Sequence, residues 1–106
     1  MKHALLVCGS VLMLTFGCSW VELDPGADSV RLVESSRASN CERLGVTTTS
    51  VRSRVAGVER SADKVAGELA DLARNSAREL NGDTIVADGP LRDGEQRFII
   101  YRCRKR

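Results

Sequence analysis

Residues 61–82 read SADKVAGELADLARNSARELNG, and this stretch decides the fold. Its apolar residues recur every three or four positions, which is the spacing of one face of an α-helix. Ser61 is a typical N-cap residue, and Asn81-Gly82 is a typical helix end. We therefore expect one amphipathic helix over 62–80, whose small residues let it lie close against a sheet. The predicted apolar face holds Ala62, Val65, Ala66, Leu69, Leu72, Ala73, Ser76 and Leu80, and the polar face holds Asp63, Lys64, Glu68, Asp71, Arg74, Asn75 and Arg78.

Two extended segments precede this helix. Residues 29–33 alternate between polar and apolar side chains, which is typical of a half-buried strand. Residues 41–51 are rich in β-branched side chains, which favour strands, and Gly45 within them indicates a bulge.

Two more extended segments follow the helix. Residues 84–86 form a short apolar run, and residues 96–103 form the most apolar strand of the chain. Asp93-Gly94, between them, is a hairpin turn signal.

The resulting order, β-β-α-β-β, predicts a small α+β domain. We expect a mostly antiparallel sheet with the one amphipathic helix packed on one face. The chain has 106 residues, which allows one small domain, and we place it at residues 30–106.

The N-terminus has the pattern of an export signal. Lys2 and His3 precede an uncharged apolar run over 4–16, which is shorter than the roughly 20 residues that a membrane-spanning helix needs. We predict a lipoprotein signal peptide at 1–17, which is removed. A buried core helix is the alternative interpretation.

Gly17-Cys18 resembles the end of a bacterial lipobox, in which the Cys is acylated and becomes the mature N-terminus. Thr15 stands where the usual pattern has Leu, and Phe16 stands where it has a small residue. The resemblance implies lipidation of Cys18, and Ser19 is compatible with sorting to the outer membrane. We expect residues 18–29 to be the lipidated Cys and a short tether. The alternative is an ordinary cleavage site and a soluble periplasmic protein.

Two cysteines, Cys41 and Cys103, remain unmodified in the mature chain. In an exported protein such a pair indicates one disulfide bond. Two free thiols or a metal pair are the alternatives, although zinc prefers four ligands and the only His of the chain lies in the signal.

The remaining composition gives no catalytic motif. The mature chain has no His, no nucleophile-elbow serine and no glycine-rich phosphate loop. The net charge is +2 and aromatic residues are 4% of the chain, which argues against a nucleic-acid partner. We expect no enzyme activity, no cofactor, no metal and no small-molecule substrate.

The C-terminus is basic. Arg102, Arg104, Lys105 and Arg106 surround and follow Cys103. Such a cluster is suited to contact anionic lipid, glycolipid or an acidic envelope protein. The alternative is a solvated tail.

Seven segments of the chain carry a resemblance to a known family: 18–23, 25–27, 41–45, 57–60, 72–75, 82–86 and 94–103. Together they resemble a small bacterial envelope lipoprotein family that is described only as a domain of unknown function. That family is distantly similar in layout to the RcsF-type outer-membrane lipoproteins, which sense envelope stress. This chain has a shorter tether and one cysteine pair where RcsF has two.

The resemblance implies a non-catalytic lipoprotein, anchored in the outer membrane and presenting its domain to the periplasm. We expect it to bind another envelope component. An RcsF-like stress sensor is the alternative, and an enzyme acting on cell-wall or lipid material is a weaker one.

Overall fold

The computed structural model describes residues 21–55 and 57–104. The predicted signal peptide (1–17), Cys18, Lys105 and Arg106 lie outside these residues. The described part forms an α+β fold with one helix and a mixed four-stranded sheet, as predicted.

The helix, α1, spans Ala62–Glu79. The hydroxyl of Ser61 accepts a hydrogen bond from the backbone N–H of Lys64, which confirms Ser61 as the N-cap. At the other end Asn81 takes a left-handed conformation with φ of 61°, and the N–H of Gly82 donates to the carbonyl of Ala77 at 2.7 Å. The predicted cap and stop signals therefore set the limits of the helix.

The buried face of α1 differs from the predicted one. Ala62 and Leu80, expected on the apolar face, are exposed, whereas Glu68, Ala70 and Ala77 are buried. The face that packs on the sheet follows positions 65, 69, 73 and 77. Glu68 is accommodated because Arg60, just before the helix, folds back and forms an ion pair with it at 2.6 Å.

Six strands accompany the helix within the described residues. They are β1 (Arg31–Leu32), β2 (Glu42–Ser50), β3 (Arg54–Val55), β4 (Val58–Glu59), β5 (Thr84–Ala87) and β6 (Glu95–Arg102). In the main sheet the order is β1-β5-β6-β2. β1 runs parallel to β5, whereas β5–β6 and β2–β6 are antiparallel, so the sheet is mostly antiparallel as predicted.

The predicted bulge beside Gly45 is present. The pairing of β2 with β6 shifts register between Arg43 and Gly45, where two steps on β2 match one step on β6. The small hairpin of β3 and β4 was not predicted, because its two-residue strands are too short to show a periodicity.

The core lies between α1 and the sheet. Leu69 of the helix and Ile85, Phe98 and Ile100 of the central strands are fully buried. Alternation along β5 puts Thr84 and Val86 on the opposite face, yet both are buried. A short 3-10 helix, Ser35–Ala38, packs on β5, and its Ala38 is buried as well.

The chain ahead of β1 lies along the helix. Ala27 is fully buried, and the 3-10 helix Ala27–Ser29 contacts α1. Within the described residues, no helix has the length and apolarity needed to cross a membrane.

Candidate functional site

A cleft runs beside β1, at one edge of the main sheet. It has a volume of about 1020 Å³ and is open to solvent. A smaller cleft of about 310 Å³ adjoins it, lies next to Cys103, and shares three of its lining residues. The shared residues are Arg31, Val33 and Arg37.

The cleft borders the free edge of β1. The N–H of Arg31 donates to the carbonyl of Asp83 and the N–H of Val33 donates to the carbonyl of Ile85, both at 3.0 Å. In a parallel pair with this register, the peptide groups of Leu32 point away from β5. The Leu32 side chain is 47% exposed. The edge therefore offers free backbone groups and an apolar side chain to a ligand.

Three arginines line the main cleft, and one of them is held by the fold. Nε of Arg74 donates to the carbonyl of Val30 at 3.0 Å, and Nη1 donates to Asp71, also at 3.0 Å. Arg74 thus fixes the start of β1 against the helix.

The other two arginines are unpaired among the residues that the structure describes. Within the described part of the chain, the guanidinium groups of Arg31 and Arg37 have no hydrogen-bond or ion-pair partner, and both residues are exposed. Glu34 is the one carboxylate among the residues that line the main cleft. The cleft has an excess of positive charge beside apolar walls, so it is suited to an anionic group attached to an apolar body.

The predicted disulfide is present at the rim of the smaller cleft. Cys41 is bonded to Cys103 across 62 positions of the chain, with their Cα atoms 4.5 Å apart. The bond joins the start of edge strand β2 to the end of β6. Cys103 itself lines the smaller cleft.

The carboxylate of Asp83 holds the chain beyond β6. It accepts the backbone N–H of Cys103 at 2.8 Å and that of Arg104 at 3.0 Å. Burial alone raises the pKa of Asp83. These two hydrogen bonds, the hydroxyl of Thr84 and the charge of Arg104 lower that pKa by more, so it lies below its ordinary value.

The predicted basic cluster is divided by the fold. Arg102 donates to the carbonyl of Asn81 at 3.2 Å and to the carboxylate of Glu42 at 2.9 Å, so its charge is used within the domain. Arg104 is exposed. Lys105 and Arg106 lie outside the described residues, and the interaction role of the cluster stays a prediction.

The cleft arginines were missed from the sequence. Arg74 is distant in the chain from Arg31 and Arg37, and the three share no spacing motif. They come together because β1 pairs in parallel with β5. A strand of two residues is too short for this pairing to be predicted from the sequence. The one available signal was that Arg37 lies in the polar connection that follows the strand carrying Arg31.

Across 21–55 and 57–104, no three His, Cys, Asp or Glu side chains form a group that could hold a metal ion.

A comparison with known protein families identifies the family of this chain. The profile of DUF4156, a domain of unknown function, matches residues 21–103. The chain belongs to the DUF4156 family. The matched range includes both disulfide cysteines and every residue that lines the two clefts. No curated protein and no solved structure matches the chain. The prediction of a family of unknown function is therefore confirmed, while lipidation and the likeness to RcsF remain proposals.

Proposed function

We propose that this DUF4156 protein is a non-catalytic lipoprotein of the bacterial envelope. Acyl chains on Cys18 anchor it in the outer membrane, and its disulfide-bonded domain faces the periplasm. There it binds an anionic envelope component at the cleft beside β1. The observation that carries the proposal is the Cys41–Cys103 disulfide.

The disulfide supports an exported domain. Structural disulfides persist in oxidising compartments such as the bacterial periplasm and are rare in the reducing cytosol. This one joins an edge strand to a central strand, next to solvent, where cytosolic reductants would reach it. The bond crosslinks two strands and so stabilises a domain whose hydrophobic core is small.

The anchor is supported by the sequence that ends at Cys18. Each buried CH₂ of an acyl chain contributes about 0.8 kcal/mol to membrane binding, so two or more chains anchor a protein stably. The apolar run before Cys18 is too short to span a bilayer, as a cleaved signal requires.

The binding site is supported by the charge of the cleft. Arg31 and Arg37 carry positive charges that the described residues leave unneutralised, and Leu32 lies exposed beside them. Guanidinium groups bind phosphate and carboxylate oxygens through two parallel hydrogen bonds. A ligand with such an anion next to an apolar segment would fill both parts of the cleft.

The binding test is photo-crosslinking in cells that produce the full chain. A photoreactive amino acid replaces Leu32 in the cleft. As a matched position, the same amino acid replaces Val58, which is 68% exposed on the distant β3–β4 hairpin. We expect an adduct at position 32 that is absent at position 58.

Charge dependence decides whether the cleft makes the contact. Arg31→Ala with Arg37→Ala should abolish the adduct, because no guanidinium remains to hold the anion. Arg52→Ala with Arg92→Ala removes the same charge away from the cleft and should leave the adduct unchanged. An adduct that survives the first pair of changes, or equal adducts at 32 and 58, contradicts the binding site.

A further inference from the structure

The segment that leads from the anchor to the domain is clamped by one side chain of the helix. The amide oxygen of Asn75 accepts the backbone N–H of Asp24 at 2.7 Å, and its amide nitrogen donates to the carbonyl of Glu22 at 2.9 Å. Asn75 thus binds an extended piece of chain as a neighbouring strand would, with one donor and one acceptor.

Two further contacts hold the same segment. Ala27 is fully buried where its 3-10 helix meets α1. The guanidinium of Arg78 lies over Gly26, so close that a β-carbon at that position would come within 3.0 Å of three of its atoms. The chain from Glu22 to Ala27 therefore follows the C-terminal half of the helix.

The clamp leaves very little free chain behind the anchor. Four residue steps separate Cys18 from Glu22, and a fully extended chain covers at most about 3.6 Å per residue. An anchor at position 18 can therefore be no more than about 14 Å from Glu22, whatever path the chain takes between them. A domain attached in this way has no room to move far from the bilayer surface.

We propose that the Asn75 clamp fixes the domain against the membrane in one orientation, with the C-terminal half of α1, Leu23 and Arg78 toward the lipid headgroups. Leu23 is 40% exposed and suits the apolar side of the interface. Arg78 is exposed and suits anionic headgroups, which attract basic side chains near a membrane surface. The inference rests on the proposed acylation of Cys18 and adds the membrane surface as a direct partner of the domain.

The opposite end of the domain would then face away from the membrane. The N-terminal end of α1 lies beside the loop that joins β5 to β6, since Ala62, Val65, Leu91 and Gly94 line one pocket. At 1.5 Å per residue, Ala62 lies about 20 Å along the helix from Asn75. This separation makes the orientation measurable.

The clamp is tested first by proteolysis of the full chain in non-ionic detergent. A glutamate-specific protease cleaves after Glu22 only when the clamp opens. Asn75→Ala removes two hydrogen bonds and should raise the cleavage rate at this bond about tenfold. Asn75→Asp keeps the acceptor for Asp24 and should give a smaller increase. Asn40→Ala changes an exposed Asn outside the clamp and should leave the rate unchanged. Equal rates in the wild type and Asn75→Ala overturn the clamp.

The orientation is tested with the acylated protein in lipid nanodiscs that carry a paramagnetic headgroup. We expect strong broadening of the backbone amide signals of Leu23 and of 75–79, and weak broadening of Ala62 and 88–94. Asn75→Ala should make the broadening weaker and more uniform. Uniform broadening in the wild type, or its maximum in 88–94, overturns the proposed orientation.

The two assays separate this inference from the proposed function. Cleavage after Glu22 is measured with or without acylation, and a mass spectrum of the nanodisc sample shows whether Cys18 carries lipid. An unlipidated protein contradicts the anchor itself. A lipidated protein with an unprotected segment contradicts only the clamp.

Discussion

The carboxylate of Asp83 accepts the backbone N–H of Cys103 at 2.8 Å, at the point where the last strand ends and the disulfide begins. Asp83 also accepts the N–H of Arg104, and its own carbonyl accepts the N–H of Arg31 from β1. One residue thus connects the C-terminal end of the domain to the strand that borders the cleft.

Asp83→Asn should destabilise the domain by about 1–2 kcal/mol at pH 7, because hydrogen bonds to a charged acceptor are stronger than those to a neutral amide. Urea unfolding measures this difference. Asp93→Asn changes an exposed carboxylate in a turn and is the matched control. Equal urea midpoints for the two variants would show that the Asp83 hydrogen bonds do not contribute to stability.

The stability difference between wild type and Asp83→Asn should depend on pH. The pKa of Asp83 is lower in the folded protein than in the unfolded chain, so the folded state favours the charged form. Its contribution is therefore present above the unfolded pKa of about 3.9 and is lost as the pH falls through the folded pKa. Unfolding at pH 7, 4 and 2.5 should show the two proteins converging. A difference that grows toward low pH would contradict the assigned sign.

Cys41→Ser and Cys103→Ser should destabilise the domain equally, because both remove the same crosslink. For a loop of 62 residues the chain-entropy estimate is about 4 kcal/mol. The measurement is denaturant unfolding of both variants, of the double variant and of the reduced wild type. All four should coincide, and a single variant as stable as the oxidised wild type would contradict a structural role for the bond.

Glu68→Ala should disconnect the β3–β4 hairpin from the helix. Glu68 forms two hydrogen bonds with Arg60, and Arg60 also donates to the carbonyl of Arg52 at 2.9 Å. The hydrogen bond to Glu68, opposed by burial and aided by charge attraction, raises the pKa of Arg60, which stays charged. Hydrogen exchange of the Arg60 N–H, which donates to Ser53, reports opening of the hairpin.

Asp71→Ala is the control for that change, because Asp71 forms a more exposed ion pair with Arg74. Exposed ion pairs contribute less than about 1 kcal/mol to the free energy of unfolding. We therefore expect a small loss of stability for Asp71→Ala and a loss several times larger for Glu68→Ala. Unchanged exchange at Arg60 in Glu68→Ala would mean that the ion pair does not hold the hairpin.

Gly94→Ala should destabilise the hairpin turn between β5 and β6 by about 2–3 kcal/mol. Gly94 has φ of 75°, which L-residues adopt at a cost, and a β-carbon there would overlap the carbonyl oxygen of Val51. Gly89→Ala is a weaker control, since its φ is also positive but nothing lies near its β-carbon. Thermal unfolding should rank Gly94→Ala clearly below Gly89→Ala.

Much of the fold could be predicted because its signals are local. Ser61 and Asn81-Gly82 set the helix limits, Asp93-Gly94 set the turn before β6, and β-branched residues marked β2. The disulfide followed from an export signal combined with a count of two remaining cysteines.

The candidate site could not be predicted, because it depends on contacts between distant parts of the chain. Arg31 reaches the cleft through the parallel pairing of β1, which has only two residues. Glu68 was expected on the polar face because a charged side chain usually contacts solvent. Its burial is favourable only because Arg60 folds back and forms an ion pair with it. Asn75 has no sequence signature that connects it to Glu22 and Asp24.

The intact mass of the protein purified from envelope membranes tests the central claim most directly. The sample is alkylated with and without prior reduction. We predict a mass that begins at Cys18 and includes acyl chains, with two alkylated thiols appearing only after reduction. A mass without lipid, or two thiols that are alkylated without reduction, would contradict an anchored and disulfide-bonded envelope lipoprotein.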